Sequence, residues 1–150
     1  MTLRVHVGSE GERAPASRAA IERVALATLR AEKVRAAMLS VTLVTARAIA
    51  RLNHRHFGQR GSTDVIAFGF APPGRGASTV IGDIYISPSV ARANARRYGV
   101  RVRDELLRLV VHGTLHVLGY DHPEGEERVR SRMWRRQEIL LARALRARGA

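Results

Sequence analysis

The sequence predicts a single-domain α+β fold, with mixed α/β layers built from a roughly four-stranded mixed sheet and about five helices. Three observations predict it. The chain has 150 residues, 45% of them hydrophobic, which suits one soluble domain with one core. Four short strand-like runs alternate with five segments whose apolar residues recur every three to four positions. No internal repeat or linker divides the chain, so residues 1–150 read as one unit.

Leu3, Val5 and Val7 share one face of a first strand, and residues 8–16, with Gly8, Gly11 and Pro15, form a loop. Ser17 caps a helix carrying Ile21, Val24, Ala25 and Leu29, because a serine oxygen can accept from a free N–H of the first turn. Leu39, Val41 and Leu43 alternate with Ser40 and Thr42 in a second strand. Thr45 caps a short helix with Ile49 and Leu52 that stops by Gly58. Val65 to Phe70 reads as a buried strand, Ala71 to Gly76 as a flexible loop, and Val80 to Ile86 as the fourth strand. Ser87-Pro88 starts a helix that Gly99 ends. Residues 102–118 form the most apolar helix, terminated by Gly119. Residues 124–147 read as one Arg-rich amphipathic helix burying Val129, Met133, Leu140, Leu141 and Leu145.

Composition narrows the function. There are no cysteines, which excludes a disulfide framework, a Cys-based zinc finger and a thiol nucleophile. No run approaches the roughly 18 apolar residues of a membrane helix. The N-terminal segment alternates like a strand and has neither the apolar block nor the cleavage site of a secretory signal, so a cytoplasmic protein is expected. The formal charge is +13, and Lys33 is the one lysine among 26 cations. A broad positive field favours a polyanionic partner, and the planar arginine fork suits phosphate.

Three of the six histidines lie within eleven residues, as HGTLHVLGYDH from His112 to His122. The four-residue spacing puts His112 and His116 on one face of the helix, one turn apart. Gly119 can turn the chain back and bring His122 to the same point. Three neutral imidazoles with an open fourth position make a tripod for Zn²⁺, one ion per chain; Ni²⁺ or Cu²⁺ also suit such a site in vitro. The spacing is that of the metzincin proteases, so the metal helix is zincin-like. Gly113, however, stands where a protease has its general-base glutamate, and peptide hydrolysis would lack a main group. That glycine is expected to leave the helix thin beside the metal, letting a substrate backbone approach. Asp121 is a candidate catalytic residue, orienting a ligand histidine or moving a proton, or else it satisfies backbone donors of the turn.

The segment from His112 to His122 resembles the YbeY family of single-strand-specific endoribonucleases. Asp104-Glu105-Leu106 fits that family's acidic helix start. Leu52-Asn53 followed by Thr63-Asp64-Val65-Ile66-Ala67-Phe68, then Gly82-Asp83-Ile84, and finally Met133 and Gln137-Glu138 fit its other segments in order. The resemblance covers about residues 3–145. It implies a small mixed sheet covered by helices and one zinc held by His112, His116 and His122. It implies single-stranded RNA as substrate, action at the 3′ end of 16S rRNA and in ribosome quality control, and the small ribosomal subunit and the GTPase Era as partners. Many members carry a catalytic arginine just before the glycine that follows the Leu-Asn segment. Here that position is Phe57, before Gly58, and Arg55 and Arg60 are the candidates to replace it.

Other residues carry weaker expectations. His6, His54 and His56 read as surface positions, and Asp64 and Asp83 as strand-end residues or cleft lining. Trp134 reads as core or cover before it reads as a base-stacking ring. Arg128, Arg130, Arg132, Arg135 and Arg136 read as a solvated helix face with a diffuse pull on RNA. The reading is a zinc-dependent endoribonuclease. The alternatives are a non-enzymatic, zinc-stabilised RNA- or ribosome-binding factor and, less favoured, a metalloprotease without its glutamate.

Overall fold

The computed structural model describes residues 2–70 and 79–149, so the loop expected at Ala71 to Gly76 lies outside the described residues. Four strands form one mixed sheet: β1 (Leu3–Ser9), β2 (Ala36–Leu43), β3 (Val65–Phe70) and β4 (Thr79–Ile86), in the order β1-β2-β4-β3. β1 runs parallel to β2 and β2 parallel to β4, while β3 is antiparallel to β4. Around the sheet lie α1 (Arg18–Ala31), α2 (Ala46–Phe57), α3 (Pro88–Tyr98), α4 (Val102–Val117) and α5 (Arg132–Gly149), with a 3-10 helix at Gly125–Arg130.

The predicted caps form. Ser17 accepts from Ala20 N–H at 3.0 Å and Thr45 from Ala48 N–H at 3.1 Å. Ser87 accepts from Val90 N–H at 3.3 Å, with Pro88 opening α3.

Strand alternation sorts the side chains onto two faces. Val7, Leu39, Val41, Leu43, Ile84 and Ile86 point into the main core with α1, α4 and α5. Ile66, Phe68 and Tyr85 point the other way, into a smaller cluster under Ile49 and Leu52 of α2. α4 therefore lies against the sheet, its middle sealed by Leu106, Leu107, Val110, Val111 and Leu115, all essentially without exposure. No helix among the described residues is long and apolar enough to cross a membrane.

One element differs from expectation. Residues 124–147 are not one helix: the 3-10 turn precedes α5, and Ser131 between them is extended, at φ −72° and ψ 158°. Ser131 Oγ accepts from Trp134 N–H at 3.1 Å, so a side-chain cap starts a new helix where apolar periodicity suggested continuity. Val129 is consequently 54% exposed rather than part of the buried stripe, whereas Met133, Leu140 and Leu141 are buried as expected. Nor is the arginine run a uniformly solvated face. Arg136 reaches Glu32 at the end of α1, with Nε 2.7 Å from Oε2.

Candidate metal centre

The site begins with the way α4 ends. Gly119 adopts φ 101°, a left-handed conformation open to glycine at low cost. Gly119 N–H donates to His116 C=O at 2.9 Å and Tyr120 N–H to Leu115 C=O at 3.0 Å. This pair of bonds is a Schellman motif, and it reverses the chain beside the last turn of α4. His122 returns to His112 and His116. The ring centroids lie 4.7 Å apart for His112–His116, and 5.0 Å apart for each pair with His122.

Each imidazole is held through its Nδ1. His116 Nδ1 meets Tyr120 C=O at 2.9 Å and His122 Nδ1 meets Pro123 C=O at 3.0 Å. His112 Nδ1 meets Gln137 Oε1 at 2.6 Å. The Gln137 amide is itself oriented, because its Nε2 donates to Glu138 Oε2 at 2.9 Å, leaving Oε1 as the acceptor. Oxygens of this kind only accept. Each Nδ1 therefore carries the proton, and each Nε2 presents a lone pair.

Those three nitrogens are the donor set a borderline-soft divalent cation takes, and one ligand atom from each ring lies within 4.8 Å of the others. The acceptors behind the rings are the support that metal-bound histidines usually need. Among the described residues no fourth His, Cys, Asp or Glu joins the group. Burial pushes His112 down to about 3; the Gln137 hydrogen bond opposes the shift, and the nearby His116 and Arg128 charges reinforce it. Burial also lowers His116, helped by His122. At neutral pH these two rings are free to ligate without first losing a proton.

Behind His112 runs a partly buried polar chain. Arg108 binds Glu138 through Nε at 2.9 Å and Nη2 at 3.2 Å, and Glu105 through Nη1 at 2.8 Å. Glu105 is 5% exposed; burial raises its pKa although Arg108 opposes the shift. The sequence segments already included Glu105, Gln137 and Glu138, but not Arg108 or the link that joins the four behind His112. Their signal is the spacing 105, 108, 112 and 116, which draws one polar stripe along an otherwise apolar helix.

A second anchor fixes the turn. Tyr120 Oη donates to Glu32 Oε1 at 2.6 Å, and Arg136 holds the other oxygen. Burial would raise the Glu32 pKa, but these hydrogen bonds outweigh it and the net shift is downward. A depressed folded-state carboxyl adds stability above its unfolded value, near 4.5, and that stability fades as pH falls through the folded value. Glu32→Gln is therefore expected to cost about 1–2 kcal/mol at pH 7, with the gap to wild type narrowing towards pH 3. Urea unfolding of both proteins across that range checks it, and a gap independent of pH would count against the assignment.

The other candidate residues fall in different places. Asp121 is exposed, and its Oδ1 accepts from His122 N–H at 2.8 Å; the Nδ1 positions are held by Gln137 and two carbonyls instead. Arg55 and Arg60 line a shallow groove of about 470 Å³ with Arg51, His54 and Gly61, and none of the three histidines lines it. Asp83 accepts from Ser40 Oγ across the sheet at 2.8 Å. Asp64 receives Asn94 Nδ2 at 3.2 Å and lines a cavity of about 450 Å³ whose walls also include Tyr98, Arg108, His112, Arg128 and Trp134. Gly113 does not open space beside the metal ligands. A Cβ there would stand 2.7 Å from Ile84 Cγ2, so its bare side faces β4 and allows α4 to approach the sheet.

Comparison with known proteins agrees with this architecture. The chain is 40% identical over 133 residues to an endoribonuclease YbeY of Parafrankia sp. (strain EAN1pec), covering 83% of this chain and 81% of that protein. It is 44% identical over 117 residues to the endoribonuclease YbeY of Salinispora tropica, covering 71% and 73%. The solution structure of TM1509 from Thermotoga maritima superposes with a TM-score of 0.62 at 25% identity, covering 95% of this chain and 90% of that one. The family model described as Endoribonuclease YbeY matches residues 9–144, and with the fold and the three-histidine turn in place the chain belongs to the YbeY family.

Proposed function

We propose that residues 1–150 form one metal-dependent hydrolase domain, a zinc-dependent endoribonuclease specific for single-stranded RNA. The observation that carries the reading is the convergence of three Nε2 lone pairs, each fixed by an acceptor at Nδ1, beside a cavity that shares His112. The names of the relatives support ribonuclease chemistry, and the +13 charge supports a polyanionic substrate.

In this reading His112, His116 and His122 hold one Zn²⁺. When bound, the ion supplies Lewis-acid polarisation of a phosphate oxygen and activation of the attacking group. The protein keeps His112 and His116 neutral by burial and holds all three rings in the correct tautomer through Gln137, Tyr120 and Pro123. Asp121 keeps His122 in place by accepting its backbone N–H. Arg55 and Arg60 lie on a basic groove that suits the backbone of the incoming strand. The family resemblance supports 16S rRNA 3′-end maturation and ribosome quality control as the role, in the cytoplasm, with the small subunit and the GTPase Era as partners.

The test is cleavage of a single-stranded RNA by zinc-loaded protein, beside a chelator-treated sample and His116→Ala, with zinc content measured on each. Zinc at one per chain in the wild type, and loss of zinc and of cleavage together in the other two, is the expected result. Equal cleavage by wild type and a zinc-free His116→Ala would sink the reading and leave a zinc-stabilised RNA-binding factor in its place.

A further inference from the structure

The cavity beside His112 holds two arginines in different states. Arg108 is committed: three of its N–H groups go to Glu105 and Glu138. Arg128 has no such partner. No carboxylate pairs with it among the described residues, and its Nε is buried without a hydrogen-bond partner. Its guanidinium carbon lies 5.5 Å from the ring centroid of Trp134, so the group is braced on an aromatic face. Arg128 lines the same cavity as His112, which places it on the histidine side.

A cationic donor buried without an acceptor is set up for an anion, and the guanidinium fork matches phosphate oxygens. The neighbouring wall supplies what a nucleobase needs. Trp134 lines the cavity with Tyr98 and Val129, which are 64% and 54% exposed, and flat or apolar surface of this kind accepts a base of any sequence. The carboxylates here already have partners, since Arg108 pairs with Glu105 and Glu138 and Asn94 Nδ2 donates to Asp64. Of the two arginines that line the cavity, Arg128 is the one with no carboxylate partner among the described residues.

We propose that Arg128 is the substrate-phosphate arginine of this chain, gripping a strand phosphate at the cavity beside His112 while the adjoining base lies against Trp134. The proposal rests on the endoribonuclease reading and identifies a contact for its substrate. It assigns to the segment after the metal turn the phosphate contact for which Phe57 has no charge and for which Arg55 and Arg60 lie on a different groove.

Trp134 is the one tryptophan of the chain, so its fluorescence reports on Arg128 directly. The probe is a single-stranded 2′-O-methyl hexanucleotide, titrated into zinc-loaded wild type, Arg128→Gln, Arg128→Lys and Arg23→Gln, an exposed arginine of α1, with zinc content measured and cleavage of the unmodified strand assayed in parallel. The substitution leaves the Arg128 carbonyl that holds Ser131 Oγ at 2.7 Å, so the turn is kept.

The expected result is a saturable change in Trp134 emission that is lost in Arg128→Gln, partly kept in Arg128→Lys and present in Arg23→Gln. The salt dependence of binding should fall by about one unit of slope in Arg128→Gln. Cleavage should fall about 10²-fold at unchanged zinc content. Binding and cleavage by Arg128→Gln equal to wild type would overturn the proposal while wild-type cleavage kept the endoribonuclease reading. A wild type that cuts no single-stranded RNA, yet shows the Arg128-dependent emission change, would remove that reading and leave the phosphate site standing.

Discussion

Gly113→Glu, the change that restores the protease pattern, is expected to yield an unfolded chain rather than a peptidase. Gly113 is buried, and a Cβ there meets Ile84 Cγ2 at 2.7 Å and two further Ile84 carbons at 3.4 Å. Ile84 is fully buried in β4, which has a neighbour on either side, so it has little room to yield. Even Gly113→Ala should cost about 1–3 kcal/mol through overpacking. A glutamate adds an unpaired buried charge at a cost of several kcal/mol more, which together rivals the roughly 5–15 kcal/mol that holds a domain of this size folded. Circular dichroism and urea unfolding of both variants check it. In a double-mutant cycle, Ile84→Ala should lessen the penalty of Gly113→Ala by about 1 kcal/mol, because the two side chains compete for one volume. A folded Gly113→Glu protein that hydrolyses peptides would refute this account of the glycine.

Gln137→Leu is expected to lower zinc affinity by about 10–100-fold. The side chain is 1% exposed and its Oε1 accepts from His112 Nδ1 at 2.6 Å. Leucine fills similar space but accepts no hydrogen bond, so the buried Nδ1–H loses its acceptor and the ring its fixed tautomer. Leaving that donor unsatisfied should also cost about 1–3 kcal/mol of stability in the metal-free protein. Glu138→Gln acts one step further out and should weaken binding less, since a neutral acceptor can still orient the Gln137 amide. Competition against a chromophoric chelator measures both affinities. Wild-type zinc affinity in Gln137→Leu would show that the residue only fills space.

Much of the site was legible because its determinants are local. His112 and His116 share a helix face by arithmetic alone, and Gly119 is a residue that tolerates the φ of 101° the turn adopts. Ser17, Thr45 and Ser87 announce helix starts because each serves a backbone N–H three residues ahead. The break at Ser131 was hidden for a related reason. The apolar spacing of Val129 and Met133 continued a helical pattern across a residue that is itself a cap.

Apart from the break at Ser131, the order of elements, the three-histidine cluster and the family were thus determined by the sequence, since each depends on chemistry within a few residues of chain. Tertiary structure alone decided which way Gly113 faces, because that depends on Ile84, 29 positions away in a strand of another layer. It aligned Arg108 of α4 with Glu138 of α5, 30 positions apart, and so put Gln137 behind His112. It also put Arg128 in the lining of the cavity that His112 shares, and Arg55 and Arg60 in that of another groove. Arginines are interchangeable in a charge count; only the packing of α4, α5 and the turn between them gives one an unmet hydrogen bond in the cavity that His112 lines.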